Sequence, residues 1–298
     1  MNGLRLLAAA GLGKLTTPEI VPVAGAFDSP VSVTLEAPEL CPVFAGRVIR
    51  GVNNGPSPEW LQRRLTAIGL RPISALVDIT NYFTFGLNRP LHVFDAAKVK
   101  GKLRIHAATG GEEFAALDGK TYTLRAGQMV ISDDAGVESL AGIMGGEVSG
   151  CTPETTEVFL ESAWWDPITT ATTGRALKIN SDARYRFERG VDPAFSLPGL
   201  DLATQMILDL CGGEASDLAV DGAAPDTSRA YKLNPARVIS LVGMDIPEAE
   251  QRRTLEALGF TLTGPKGSAR IEAEAFAELV GQSRQLAALR APLTRHPS

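Results

Sequence analysis

The sequence predicts an α+β fold: a mixed or antiparallel sheet flanked by helices, followed by a small partial α+β domain. Short strand-like runs cluster between residues 103 and 162, each parted from the next by a turn signal, and helical patterns lie on both sides of that cluster instead of alternating with it. Composition agrees: 44% hydrophobic and 21% charged residues over 298 positions describe an ordinary globular chain, which excludes disorder and collagen-like structure. Lys and Arg total 29 against 34 Asp and Glu, a net charge of -5, so a generally basic nucleic-acid coat is excluded while a local basic patch is not.

Met1–Gly11 carries one positive charge before a short apolar run, a faint likeness to a signal peptide, but no small-residue cleavage site follows. It reads as a short helix stopped by Gly11 or Gly13, with the cytosol as the expected compartment. No apolar stretch approaches the roughly 20 residues a membrane span needs. The segment from Pro18 to Pro30 reads as a linker, and Val31–Leu35 and Phe44–Val52 as strands. Ser57-Pro58-Glu59 supplies a cap, a first-turn proline and a first-turn acid for a helix whose Leu61, Leu65 and Ile68 share a face and which Gly69 stops. Ser74 is placed to cap a second helix running to Gly86. Strands are expected over Leu103–Ala107, Met129–Ser132, Ser139–Met144 and Val158–Glu161, then helices from Asp166, over Asp182–Arg189 and over Pro193–Leu210. Near Tyr231 a second small unit begins, with helices closed by Gly243 and Gly259 and a strand over Phe260–Thr263. No strand is evident after that. The three cysteines, Cys41, Cys151 and Cys211, are too far apart for a zinc knuckle or redox pair and read as reduced thiols.

Several clusters combine polar groups with glycine or proline in ways a pure core does not need. These are Asp78-Ile79-Thr80-Asn81-Tyr82; Asn88-Arg89-Pro90-Leu91-His92; Ala141-Gly142-Ile143-Met144-Gly145-Gly146; and Glu161 at the end of an apolar strand. Paired glycines permit a turn whose amides face a ligand unobstructed. Taken singly, each has a plainer account: a satisfied structural histidine, a tight turn, a strand end, helix-end hydrogen bonding. Between Arg175 and Pro193 five basic residues meet three acids, with Tyr185 and Phe187 among the arginines. That mixture suits phosphates and bases, or a helix paired within itself.

In their order these motifs, with Leu117-Asp118-Gly119 and Arg186-Phe187-Glu188-Arg189-Gly190-Val191-Asp192-Pro193, resemble the bacterial phenylalanyl-tRNA synthetase β-subunit family. The likeness covers the family's editing domain, placed here at residues 41–213. Residues 1–40 resemble the end of the preceding domain and a linker, 227–265 the start of the following one, and 266–298 form an atypical tail. The resemblance implies hydrolysis of tyrosine mischarged onto tRNA(Phe), with His92 catalytic beside the ester and Thr80, Asn81, Gly145, Gly146, Glu161, Ser181 and Ala183 lining the substrate pocket. Glu161 and the Gly145-Gly146 amides would grip the phenol. Arg184 and Arg186 would contact RNA. It also implies a catalytic α subunit as partner, with ATP and Mg²⁺ used by the assembled ligase and no metal or cofactor in this chain. A tRNA-binding or assembly module with a vestigial pocket is the alternative.

Overall fold

The computed structural model of the chain describes residues 2–16, 19–263 and 271–275. It divides into two compact units, Ile20–Pro225 and a smaller one made of Met1–Glu19 with Asp226–Ser298. The smaller unit contributes the first element, α1 (Asn2–Ala9).

The larger unit opens with β1 (Val33–Leu35) and β2 (Val43–Arg50), then α2 (Glu59–Ala67) and α3 (Ala75–Leu87). Next come β3 (His92–Asp95), β4 (Leu103–Ala107) and a hairpin of β5 (Glu113–Ala115) and β6 (Thr121–Thr123). β7 (Met129–Ser132), β8 (Val137–Leu140), β9 (Met144–Gly145) and β10 (Glu157–Trp164) finish the strand-rich middle. α4 (Pro167–Leu177), α5 (Asp182–Phe187) and α6 (Ser196–Cys211) follow, and β11 (Glu214–Ala215) and β12 (Ala219–Gly222) return to the sheet.

Two sheets result. One runs β11-β2-β10-β3 with β12 also on β2, antiparallel throughout. The other runs β1-β4-β7-β8-β9 and is mixed, because β1 lies parallel to β4. One core fills the space between them: Phe44, Val48, Phe94, Phe159 and Trp165 meet Leu103, Ile105, Met129 and Ile131. A second core lies on the other face of the first sheet, where Ala45, Ile49, Val93, Val158 and Leu160 pack on Leu61, Leu65, Leu76, Ile79, Leu200 and Ile207. β2 and β10 are therefore covered on both faces, which is why they read as continuous apolar runs and not as alternation.

Several details depart from the sequence reading. The expected strand Ser139–Met144 is two strands, β8 and β9, parted by a turn in which Gly142 has φ 67°. Gly145 and Gly146 lie after that turn, and neither has positive φ. Ser57 does not cap α2; its hydroxyl donates to buried Asp78, whose other carboxyl oxygen accepts from the Ile73 amide, and this lashes the start of α3 to the start of α2. Ser74 makes no side-chain cap bond either. Ile68 is 52% exposed, being the residue beyond the last turn of α2. Within the stretch read as a linker, Phe27 packs against the inter-sheet core. The β5–β6 hairpin, β11 and β12 escaped the sequence reading, all being of two to four residues.

The smaller unit adds β13 (Arg229–Leu233), α7 (Ala236–Val242), α8 (Glu248–Ala257), β14 (Phe260–Thr263) and β15 (Ile271–Ala275), with α1 against α8. Its sheet order is β13-β15-β14, so the central strand lies where none was expected. Ile-Glu-Ala-Glu-Ala is built largely of helix formers, and pairing on both sides overrides that preference. The rest of the expected tail lies outside the described residues. No helix among the described residues is long and apolar enough to cross a membrane.

Candidate functional site

The site lies at the seam between the two sheets. β3 and β10 pair antiparallel with Glu161 opposite His92 and Phe159 opposite Phe94. These four side chains therefore stand on one face, turned toward the second sheet. That sheet answers with Ser139 of β8 and the turn from Gly142 to Gly145. Trp165, Ala183 and Phe187 close a third side, and Pro90 and Leu91 complete an open pocket of about 350 Å³ including its mouth.

His92 sits edge-on to Phe94, ring centroids 4.4 Å apart at 85°. Its Nε2 is buried and has no partner within the protein. Burial pushes the imidazole down to about 4, so it is neutral at physiological pH. Glu161, 5% exposed, moves the other way: burial raises it to about 8, against the opposing pull of the Arg89 charge. Near pH 7 it is therefore mostly the protonated acid.

Arg89 is the neighbour the sequence reading passed over. It is 1% exposed, and its guanidinium donates to the carbonyls of Ala163 (2.8 Å) and Asp192. Burial lowers it to about 10, and it stays charged at neutral pH. This cation, held against Ala163 two residues along β10 from Glu161, pulls against that acid's upward shift. An arginine wedged between a helix end at Asn88 and Pro90 was the available signal.

The glycine turn is held by two hydroxyls: Ser139 donates to the Met144 carbonyl (3.2 Å) and Ser181 to the Ile143 carbonyl (2.6 Å). Gly142 lies so close to Trp165 that a Cβ would fall 2.6 Å from its Cδ1. At Gly145 a Cβ would fall 2.3 Å from His92 Cε1. Glycine here is what lets the imidazole stand against the turn.

Of the expected site residues, His92, Gly145, Glu161 and Ala183 meet at the pocket. Ser181 is not in its wall; it caps α5, accepting from the Arg184 amide, while it anchors the turn. Gly146 is a correction: its amide already donates to the Glu138 carbonyl (2.8 Å) and is not available to a ligand. Thr80 and Asn81 stand on α3 outside the lining, and the Thr80 hydroxyl bonds back to the Val77 carbonyl. Arg184 is buried and turned inward to Glu188, Asn180 and the Ile179 carbonyl, so it does not present a charge to RNA. Arg186 bonds Asp182 and covers the Phe85 ring. The free thiols of Cys151 and Cys211 are pushed by burial up to about 12 and 11, away from reactivity.

The sequence of this domain has known counterparts. The chain belongs to the B3/4 domain family, whose model matches residues 40–212. Within it the chain is similar to phenylalanine--tRNA ligase beta subunits, as its motifs indicated: it is 71% identical over 291 residues to that of Cereibacter sphaeroides and 62% identical over 290 residues to that of Ruegeria pomeroyi. Each match takes in 96% of this chain and 36% of the relative, so the chain spans about a third of the length of these subunits. A crystal structure of an N-terminal fragment of the phenylalanyl-tRNA synthetase beta-subunit from Pyrococcus horikoshii overlaps at 16% identity and a TM-score of 0.42, covering 94% of this chain and 79% of that one. That overlap is too loose to bear on the site.

Proposed function

We propose that the pocket hydrolyses the ester joining a wrongly attached tyrosine to tRNA(Phe), as one domain of a longer β subunit that works beside a catalytic α subunit in the cytoplasm. The observation that carries this reading is the pairing of Glu161 with His92 across two strands inside one aromatic-walled pocket. The aromatic wall accommodates the tyrosine ring, and Glu161 meets the phenol: two hydroxyl-bearing groups, one donating and the other accepting, with no charge buried. Phenylalanine would leave Glu161 desolvated and unpaired, a cost of about 1–3 kcal/mol that disfavours the correct amino acid in this site.

The ester is already activated, so a positioned water suffices as nucleophile. Water oxygen adds to the ester carbonyl, the bond to the ribose oxygen breaks, and the proton released from water ends on the ribose hydroxyl, leaving free tyrosine. The unpartnered Nε2 of His92 is the group to orient that water or the neighbouring ribose hydroxyl. A base depressed this far takes a full proton poorly, so His92 acts by hydrogen bonding more than by proton abstraction. The lining contains an acid and no lysine or arginine, which does not suit a triphosphate. ATP and Mg²⁺ accordingly belong to the assembled ligase in this reading.

Deacylation of Tyr-tRNA(Phe) against Phe-tRNA(Phe) by the chain tests the proposal. Selective release of tyrosine is expected. Binding of tRNA with no release from either ester would overturn it in favour of a tRNA-binding module with a vestigial pocket.

A further inference from the structure

We propose that a stripe of alternating aromatic and arginine side chains across α2, α3 and α5 binds single-stranded RNA and leads it to the pocket. This rests on the reading of the pocket as a tRNA-editing site and adds the surface that would hold the strand.

The stripe starts on α2. Trp60 is 39% exposed, and Arg64, one helical turn on, carries its guanidinium carbon 5.3 Å from the Trp60 ring and 5.9 Å from the Tyr82 ring of α3. Arg64 also donates to the Tyr82 hydroxyl (3.2 Å). The two rings meet edge to face, centroids 5.9 Å apart at 88°. Tyr82 and Phe85 are three residues apart on α3 and so share one face. Arg186 of α5 then lies 4.4 Å over the Phe85 ring. α5 is the helix that supplies Ala183 and Phe187 to the pocket. Trp60, Arg64 and Tyr82 thus form one cluster, and Phe85 with Arg186 forms a second on the next turn of α3, beside the helix that walls the site.

A core does not need this arrangement. Trp60 and Tyr185, with Arg189 stacked 3.6 Å over the latter, stay exposed despite their size. Charge points to the occupant: Arg63 is paired with Glu59 and Arg186 with Asp182, whereas Arg64, between the two exposed-side rings, has no ion pair among the described residues and leaves its charge to a ligand. Flat π faces flanked by cations suit bases that stack and phosphates that pair, and they do so without regard to sequence. A carboxylate-bearing peptide would use the cations and leave the ring faces idle.

The test uses the 298-residue chain and a short fluorescent RNA oligonucleotide ending in CCA, titrated at low and moderate salt. Trp60→Ala and Arg64→Ala should each weaken binding between about fivefold and a hundredfold, the range that base stacking on an aromatic spans. Trp60→Phe should retain most of the affinity, and wild-type binding should weaken as salt rises. Unchanged melting temperatures would show that these surface variants remain folded. Wild-type protein that does not bind the oligonucleotide, or alanine variants that bind it as tightly as wild type, would overturn the proposal. So would a dimer of the chain that Trp60→Ala dissociates without changing RNA affinity, which would make the stripe a contact between copies. Failure of the pocket reading looks different: wild type releases no tyrosine, yet RNA binding still depends on Trp60 and Arg64.

Discussion

Gly145→Ala perturbs the proposed site with a single methyl group. The added Cβ would lie 2.3 Å from Cε1 and 2.8 Å from Nε2 of His92, and 3.0 Å from Cδ1 of Leu117. Carbon–carbon contacts settle near ~3.5 Å, so the imidazole has to retreat by about 1.2 Å. Phe94 stands edge-on against the ring, and β3 is fixed to β10, so retreat means rotation away from its present direction. Backbone strain does not enter, because Gly145 has no positive φ. Overpacking of this kind costs about 1–3 kcal/mol, which for a unit of this size lowers the melting temperature by roughly 2–12 °C. A shift of about 1 Å at the reacting centre lowers the rate by about 10²-fold. Calorimetry and single-turnover deacylation of Tyr-tRNA(Phe) measure the two. Gly55→Ala is the control, since its Cβ would meet nothing closer than 3.7 Å and its φ is not positive. Wild-type melting and wild-type rate in Gly145→Ala would refute the wedged imidazole.

Glu161 makes stability depend on pH in a definite direction. The folded chain keeps this proton up to about 8 while an ordinary glutamate loses it near 4.5, so the folded state binds more protons across that window and stability falls as pH rises through it. His92 acts oppositely between about 4 and its ordinary 6.5, where the unfolded chain binds the extra proton and stability rises with pH. Above pH 6.5 only the glutamate contribution remains of the two. The denaturant midpoint of wild type should therefore decline between pH 6.5 and 8 relative to Glu161→Gln, and parallel curves would contradict the buried acid. For His92, the pH–rate profile of deacylation should show no inflection near 6.5, and one there would mean that the ring is solvated. Ser181→Ala removes both the α5 cap and the tie to the Ile143 carbonyl; a loss of about 1 kcal/mol is expected in denaturation, largely restored by Ser181→Thr.

Much of the fold was legible because local chemistry speaks directly. Pro58 and Glu59 begin α2 where they should, Asp166 caps α4 by accepting from the Thr169 amide, and Gly243 ends α7 in the left-handed region. The short strands were not legible. Two residues at β9 or β11 have no period to detect, and β15 is a strand only because β13 and β14 flank it. Arg184 shows the same limit: two residues from Arg186 in sequence, it is enclosed by Glu188 and the Ile179 carbonyl, while Arg186 covers a phenylalanine of a different helix.

The sequence alone determined the α+β class, the family, and the residues out of place in a plain core: a histidine after Pro90-Leu91, an acid read as ending an apolar strand that in fact runs on to Trp164, and a glycine-rich turn. Only the tertiary structure decided that His92 stands opposite Glu161, that the Gly146 amide is already committed, and that burial pushes the acid's ionisation upward. Register between distant strands and depth of burial are properties of the assembled sheets. They set ionisation and free hydrogen-bonding capacity, and neither is encoded in any one stretch of chain.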